Sequence, residues 1–241
     1  VDAYMDNATW RVFLLWAFVA LPCFALAQSI EVEILHAQEV SRDPSIVEAQ
    51  RLIGDVALMA GDAEVVCDSA WRFPAGRFRL MGGVEAVDGL AVLTGDVLEL
   101  FPDSGIGRMT GRIVRLVDST DPLEPRTLTT QRATYNFRSG VARFFHEGVV
   151  TTASERIESR SGWYDRKAGA MGFDGHVVMT LDTVQVRSEK VRYWPEDRRL
   201  DLLSAAEVSH PSGGILCSEG QWTMGSQVGW FIGGDSAQAR F

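Results

Sequence analysis

The residues that could do chemistry are few, and their spacing does not support a reaction. His36, His146, His176 and His210 lie far apart, no Cys-x-x-Cys pair exists, and neither pattern matches a zinc site. His146-Glu147 opens like a metalloprotease helix, but Gly148-Val149-Val150 follows, so the second histidine is missing and the β-branched pair disfavours helix. Gly105-Ile106-Gly107 is followed by Arg108-Met109-Thr110-Gly111, one residue too long for a dinucleotide fingerprint. No nucleophile sits beside a base in any recognisable motif. The sequence therefore predicts a non-enzyme with no cofactor and no metal. The one catalytic alternative is a carboxylate pair assembled only in three dimensions, as in β-solenoid enzymes that cleave polysaccharides.

Composition narrows the class further. The chain has 241 residues, 46% hydrophobic and 23% charged, with a formal charge of −9, which is the balance of a folded globular protein. The positive charge is almost all arginine, since Lys167 and Lys190 are the only lysines, and it is scattered along the sequence. An acidic chain without a basic run has no footprint for a phosphate backbone, so nucleic acid is excluded as a partner.

Arg11 precedes the apolar stretch Val12–Leu21, which is too short to span a bilayer comfortably and is followed by Pro22 and then Ala25-Leu26-Ala27. That pattern predicts a secretory signal over residues 1–27 cut before Gln28, and a mature domain over 28–241. Pro22 before Cys23 fits poorly with a lipobox. Only Cys67 and Cys217 then remain, too few for a disulfide framework, so the fold must stand on its core.

An internal repeat organises the mature chain. Gly54-Asp55-Val56, Gly82-Gly83-Val84, Gly111-Arg112-Ile113, Gly148-Val149-Val150, Gly175-His176-Val177 and Ala206-Glu207-Val208 recur, with intervals of 28, 29, 37, 27 and 31 between their last residues. The long interval contains the loop-like Asp118–Pro125. A second phrase ends at Phe73, Leu100, Tyr135, Tyr164, Tyr193 and Thr223, and turn residues such as Pro74-Ala75-Gly76 follow most copies. Each unit reads as strand, turn, strand, turn, with strands of five to eight residues, and Ile30–Leu35 alternates as an opening strand. The fold class is all-β: an elongated, solenoid-like stack of about six such units. Cys67 and Cys217 occupy the same position of the first and sixth copies, too far apart along a linear stack to bridge, so two buried free thiols are expected.

Ile34-Leu35-His36-Ala37, Arg51–Val56, Cys67-Asp68-Ser69-Ala70, Leu93-Thr94-Gly95-Asp96 and Leu128-Thr129-Thr130 resemble the OstA-like proteins, the LptA family, from about Ile30 to Trp222. The resemblance implies a folded-over β-jellyroll, or β-taco. It also implies a periplasmic protein that carries lipopolysaccharide or a related acyl lipid in a hydrophobic groove between inner and outer membranes. Its partners would be the other transport components of both membranes and, through open sheet edges, further copies of itself end to end. The polar end of the last copy, at Thr223, departs from the pattern. Under this resemblance the groove candidates are Val56, Val84, Ile113, Val150, Val177 and Val208 with Trp71, Leu98, Trp163 and Tyr193. The competing reading is a structural or adhesive exported β-solenoid, whose interior would be filled by side chains throughout.

The leader carries the first prediction. Amino-terminal sequencing of the protein from the cell envelope should begin at Gln28; recovery of chains that retain Arg11 would indicate an anchored protein instead.

Overall fold

The computed structural model describes residues 29–42, 49–226, 228–233 and 238–240; the leader expected over 1–27 lies outside the described residues. These residues contain no α-helix and a single 3-10 turn at Pro74–Gly76. Eighteen strands form one antiparallel sheet. They are β1 (Val32–His36), β2 (Glu39–Arg42), β3 (Gln50–Ala60), β4 (Ala63–Arg72), β5 (Phe78–Asp88), β6 (Ala91–Phe101), β7 (Ile106–Asp118), β8 (Arg126–Asn136) and β9 (Val141–Thr151), then β10 (Glu155–Asp165), β11 (Ala170–Leu181), β12 (Val184–Trp194), β13 (Arg199–Leu202), β14 (Ala206–His210), β15 (Gly213–Cys217), β16 (Glu219–Thr223), β17 (Val228–Ile232) and β18 (Gln238–Arg240).

From β3 to β12 the chain is a meander of strands 10 to 13 residues long, longer than the sequence suggested. Each long strand is two short ones joined at a corner. In β3, β5 and β11 the corner is a pair of consecutive left-handed residues: Gly54-Asp55 (φ 76°, 47°), Gly82-Gly83 (80°, 52°) and Gly175-His176 (80°, 51°). In β9 it is His146-Glu147 (73°, 62°). The Gly-x-Val repeat is thus a bend signal: glycine enters a left-handed backbone at no steric cost, and the valine after it returns to the core. The ladder slips at these points, between Ile53 and Val56, Met81 and Val84, and Asp174 and Val177.

Bending every strand at its middle folds the sheet over itself into two leaves. Leaf A is flanked by β2 at one end and by β13, β16 and β17 at the other; leaf B by β1 and by β14, β15 and β18. At the terminal rungs the bent strand gives way to two separate strands, β1 and β2 pairing with the two halves of β3, and β14 and β13 with the two halves of β12. The leaves face each other across one elongated core that includes Leu52, Leu58, Leu80, Leu98, Met109, Phe144, Ile157 and Met179. Cys67 in β4 and Cys217 in β15 are buried and unpaired near opposite ends of the ladder. Burial pushes the Cys67 thiol up to about 11 and raises that of Cys217, so both act as small apolar residues.

Peptide groups released from the ladder at the corners find side-chain partners on a neighbouring strand. The Arg112 N–H donates to Asp96 at 2.8 Å and the His176 N–H to Glu189 at 3.2 Å. At Gly82 the space is closed as well, because a Cβ there would sit 2.1 Å from an Asp68 carboxylate oxygen. Gly82→Ala should therefore cost at least about 1–2 kcal/mol, the penalty of an L-residue in the left-handed region. Urea melts followed by circular dichroism measure it, and an unchanged midpoint would contradict the corner as described.

Candidate functional site

The corners fix which side chains face inward, and they shift the alternation that sequence alone suggests. In β4, β6, β8, β10 and β12 the inward positions step by three across the corner: Cys67 to Ala70, Gly95 to Leu98, Thr130 to Ala133, Ser159 to Gly162 and Ser188 to Val191. In β3, β5 and β11 they step by four, as from Leu80 to Val84. Val56, Val84, Leu98, Val150, Val177, Tyr193 and Val208 are accordingly buried between the leaves. Trp71 and Trp163 are not inward. Trp71 pairs across strands with the exposed Arg51 and Arg79, and Trp163 with Arg143 and Gly172, on the outer face of leaf A. Ile113 is also corrected: it is 56% exposed, because the corner of β7 holds a third extra residue and Val114 takes the inward place.

Through the middle of the sandwich the interior is packed by its own side chains. At the C-terminal end it opens. Beyond β12 the two leaves are separate strands, and between them lies a cleft of about 510 Å³. Leaf B contributes Val184, Val208 and Ile215, and leaf A contributes Trp222, Met224 and Phe231. Asp182, Arg198, His210 and Ser212 rim it, with Arg198 donating to Asp182 at 2.6 Å. The lining is predominantly apolar and the volume is within the range of small-molecule sites, so the cleft suits an apolar chain with a polar end at the rim. Of these residues the sequence singles out Val208, as a groove candidate, and His210, as a histidine without metal-site spacing. The aromatic members lie in the last, irregular copy, where the periodic signal fades.

Away from the corners, the free margins of the two leaves meet along a polar seam. Tyr135, Tyr164 and Tyr193 on leaf A donate their hydroxyls to Asp88, Asp118 and Glu155 on leaf B, the Tyr164 bond measuring 2.5 Å. Arg166 stitches two of these pairs together, with its Nη1 at 2.8 Å from the Tyr135 hydroxyl and its Nε at 3.3 Å from Asp118. Asp118 is only 3% exposed. Burial alone would raise its pKa, but hydrogen bonds from Thr120 and Tyr164 and the Arg166 charge outweigh it and hold the carboxyl below its ordinary value. Glu155 goes the other way, raised by burial that the Tyr193 hydroxyl and Arg126 only partly offset. Tyr164 is pushed up to about 12 by burial and by its carboxylate partner, so it stays a donor. The three tyrosines end successive copies of the second repeat phrase, 29 residues apart. Their acidic partners follow no such period, so the pairing could not be read from the sequence.

Among the described residues no cluster of His, Cys, Asp and Glu could hold a metal ion, and no helix is long and apolar enough to cross a membrane.

The model of the OstA-like protein family matches residues 29–194. No curated protein matches the chain. Among solved structures the chain is similar to LptH from Pseudomonas aeruginosa, described as the LptA-homologous periplasmic component of the lipopolysaccharide transport device. The identity is 11% and the TM-score 0.44, over 65% of this chain and 98% of that one.

The seam yields a prediction with a sign. Tyr164→Phe leaves Asp118 short of a donor and should cost about 1–3 kcal/mol in a urea melt at neutral pH. Because the folded-state pKa of Asp118 is depressed, its contribution is complete above the unfolded value near 3.9 and is lost as pH falls through the folded value. Asp118→Asn should therefore be less stable than wild type at neutral pH and show a shallower loss on acidification; parallel stability curves for the two proteins would refute the assignment.

Proposed function

The chain belongs to the OstA-like protein family, and on that premise we propose that it is an exported carrier of acyl lipid, lipopolysaccharide or a close relative, between the inner and outer membranes. The observation that carries the reading is the apolar cleft where the leaves part, open to solvent and lined from both sides by Val208, Ile215, Trp222 and Phe231. An acyl chain lodged there gains about 0.8 kcal/mol per buried CH₂ while its charged head stays at the rim near Arg198. The acidic net charge does not oppose this, since the binding is by burial. Seven groove candidates, Val56, Val84, Leu98, Val150, Val177, Tyr193 and Val208, face the same interior and would line a longer channel if the leaves separated further.

The rest of the reading follows from export and architecture. Residues 1–27 act as a cleaved signal, 28–241 form the carrier domain, and the compartment is the periplasm. Transport components of the two membranes are its partners. The terminal strand β17 presents Val228, Trp230 and Ile232 to solvent, and β1 and β2 present Leu35 and Val40 at the other end, which favours end-to-end addition of further copies by strand pairing.

A second reading, a structural exported β-solenoid without cargo, is favoured by the packed middle of the core. Binding separates the two. A fluorescent fatty acid should bind the wild-type protein and be displaced by lipopolysaccharide. Val208→Asp should weaken binding at least tenfold, because a lone buried charge is costly, whereas Ile113→Asp on the exterior should leave it unchanged. Circular dichroism verifies that both variants fold. Absence of binding by the wild-type protein would overturn the carrier reading in favour of the structural one.

A further inference from the structure

Arginines that are dispersed in the sequence are gathered by the fold. One cross-strand row on the outer face of leaf A runs Ser41, Arg51, Trp71, Arg79, Glu99, Arg108, Thr134, Arg143, Trp163, Gly172, Arg192, Asp201, Gln221, Trp230, each residue directly opposite the next. At about 4.8 Å per strand the row extends on the order of 60 Å. It carries five arginines against two acids, while the adjacent row on the same face is even, with Arg132 and Lys190 against Glu39 and Asp174. The corresponding row outside leaf B is balanced, Arg115 and Arg187 against Glu85, Glu158 and Glu207. In a chain of net charge −9 the basic face is a segregation, not an average.

These guanidiniums are available. Arg51, Arg79, Arg143 and Arg192 are exposed and form no ion pair among the described residues, while Arg108 reaches Glu99 only at 3.5 Å. Trp71 and Trp163 are half-buried between them, Arg51 lies 5.6 Å over the Trp71 ring, and Phe145 and Trp230 expose apolar surface on the same face. Arginine presents a planar fork that matches phosphate oxygens, and tryptophan prefers the boundary between headgroups and acyl chains.

We propose that the outer face of leaf A is a docking surface for an anionic lipid bilayer, laid against phosphate headgroups through the Arg51, Arg79, Arg108, Arg143 and Arg192 row with Trp71 and Trp163 seated at the interface. Interleaved aromatics favour a bilayer interface over a nucleic acid. The surface is on the opposite side of leaf A from the cleft, so it does not depend on the cargo reading.

Sedimentation of the mature protein with vesicles tests it. The protein should bind vesicles of phosphatidylcholine and phosphatidylglycerol in equal amounts, bind phosphatidylcholine alone far more weakly, and be released by salt. The triple change Arg79→Glu, Arg108→Glu, Arg143→Glu should reduce binding on the order of 100-fold. Arg115→Glu with Arg187→Glu on leaf B should reduce it much less, and Val208→Asp in the cleft should not change it. Circular dichroism confirms folding of each variant. Equal binding to both vesicle types, no binding to either, equal losses from the two arginine sets, or binding of a polyanion such as heparin with none to vesicles would each overturn the proposal.

Discussion

A pair of consecutive residues with positive φ cannot continue a pleated strand, and four of the long strands place such a pair at their midpoint. A meander without them would be an open sheet with one apolar face and nothing to cover it. With them the sheet covers itself: the half-strands on either side of each corner become opposing layers, and their inward side chains form the only core the domain requires. The asymmetry between neighbouring strands has the same origin. Two extra residues on one strand of a pair are matched by a one-residue shift of parity on the other, so both resume inward alternation beyond the bend.

Self-covering creates a second margin that must be closed. The two leaves are continuous at the corners but free at the opposite edge, where hairpin turns from both sides approach. The Tyr135, Tyr164 and Tyr193 hydroxyls and the Arg166 guanidinium join that margin through carboxylates. A seam closed by hydrogen bonds between neutral donors and charged acceptors is strong while dry and weakened once water enters, since the same partners are then available from solvent. Closure of the margin is therefore more readily reversible than the corners, which are built into the backbone.

Much of the fold was legible because the bends demand particular backbones. Gly54, Gly82 and Gly175 repeat since glycine best satisfies the left-handed position, and the valine after each marks re-entry into the core. The six-unit all-β stack follows from that period, the opening strand from the alternation of Ile30–Leu35, and the loop after Asp118 from its composition. Inside and outside were less legible. Trp71 and Trp163 are read as inward if alternation continues through the bend, but parity shifts there by one residue and sends both rings to the exterior. Ile113 fails for a related reason, a third residue in the β7 corner. At His146-Glu147 the left-handed pair carries no glycine, so the residues of the β9 bend do not stand out in the sequence. Arg51, Arg79, Arg108 and Arg143 follow the repeat at intervals of 28, 29 and 35 residues, but only strand pairing shows that they and Arg192 share one outward row.

The location of the cleft also traces to one position in the repeat. Copies that end in Tyr135, Tyr164 and Tyr193 provide a hydroxyl to cross the margin, and the interior beside them is packed. Arg72 and Leu100 stand in the same row and provide none, and there the chain entering β1 bridges the margin, with the Ile30 N–H donating to the Pro102 carbonyl at 2.9 Å. In the last rung the residue in the tyrosines' row is Trp222, opposite Leu200, which has no hydroxyl to cross the margin, and with Met224 it lines open space. The rung at which the tyrosine row ends in a tryptophan is where the closed sandwich becomes an open one.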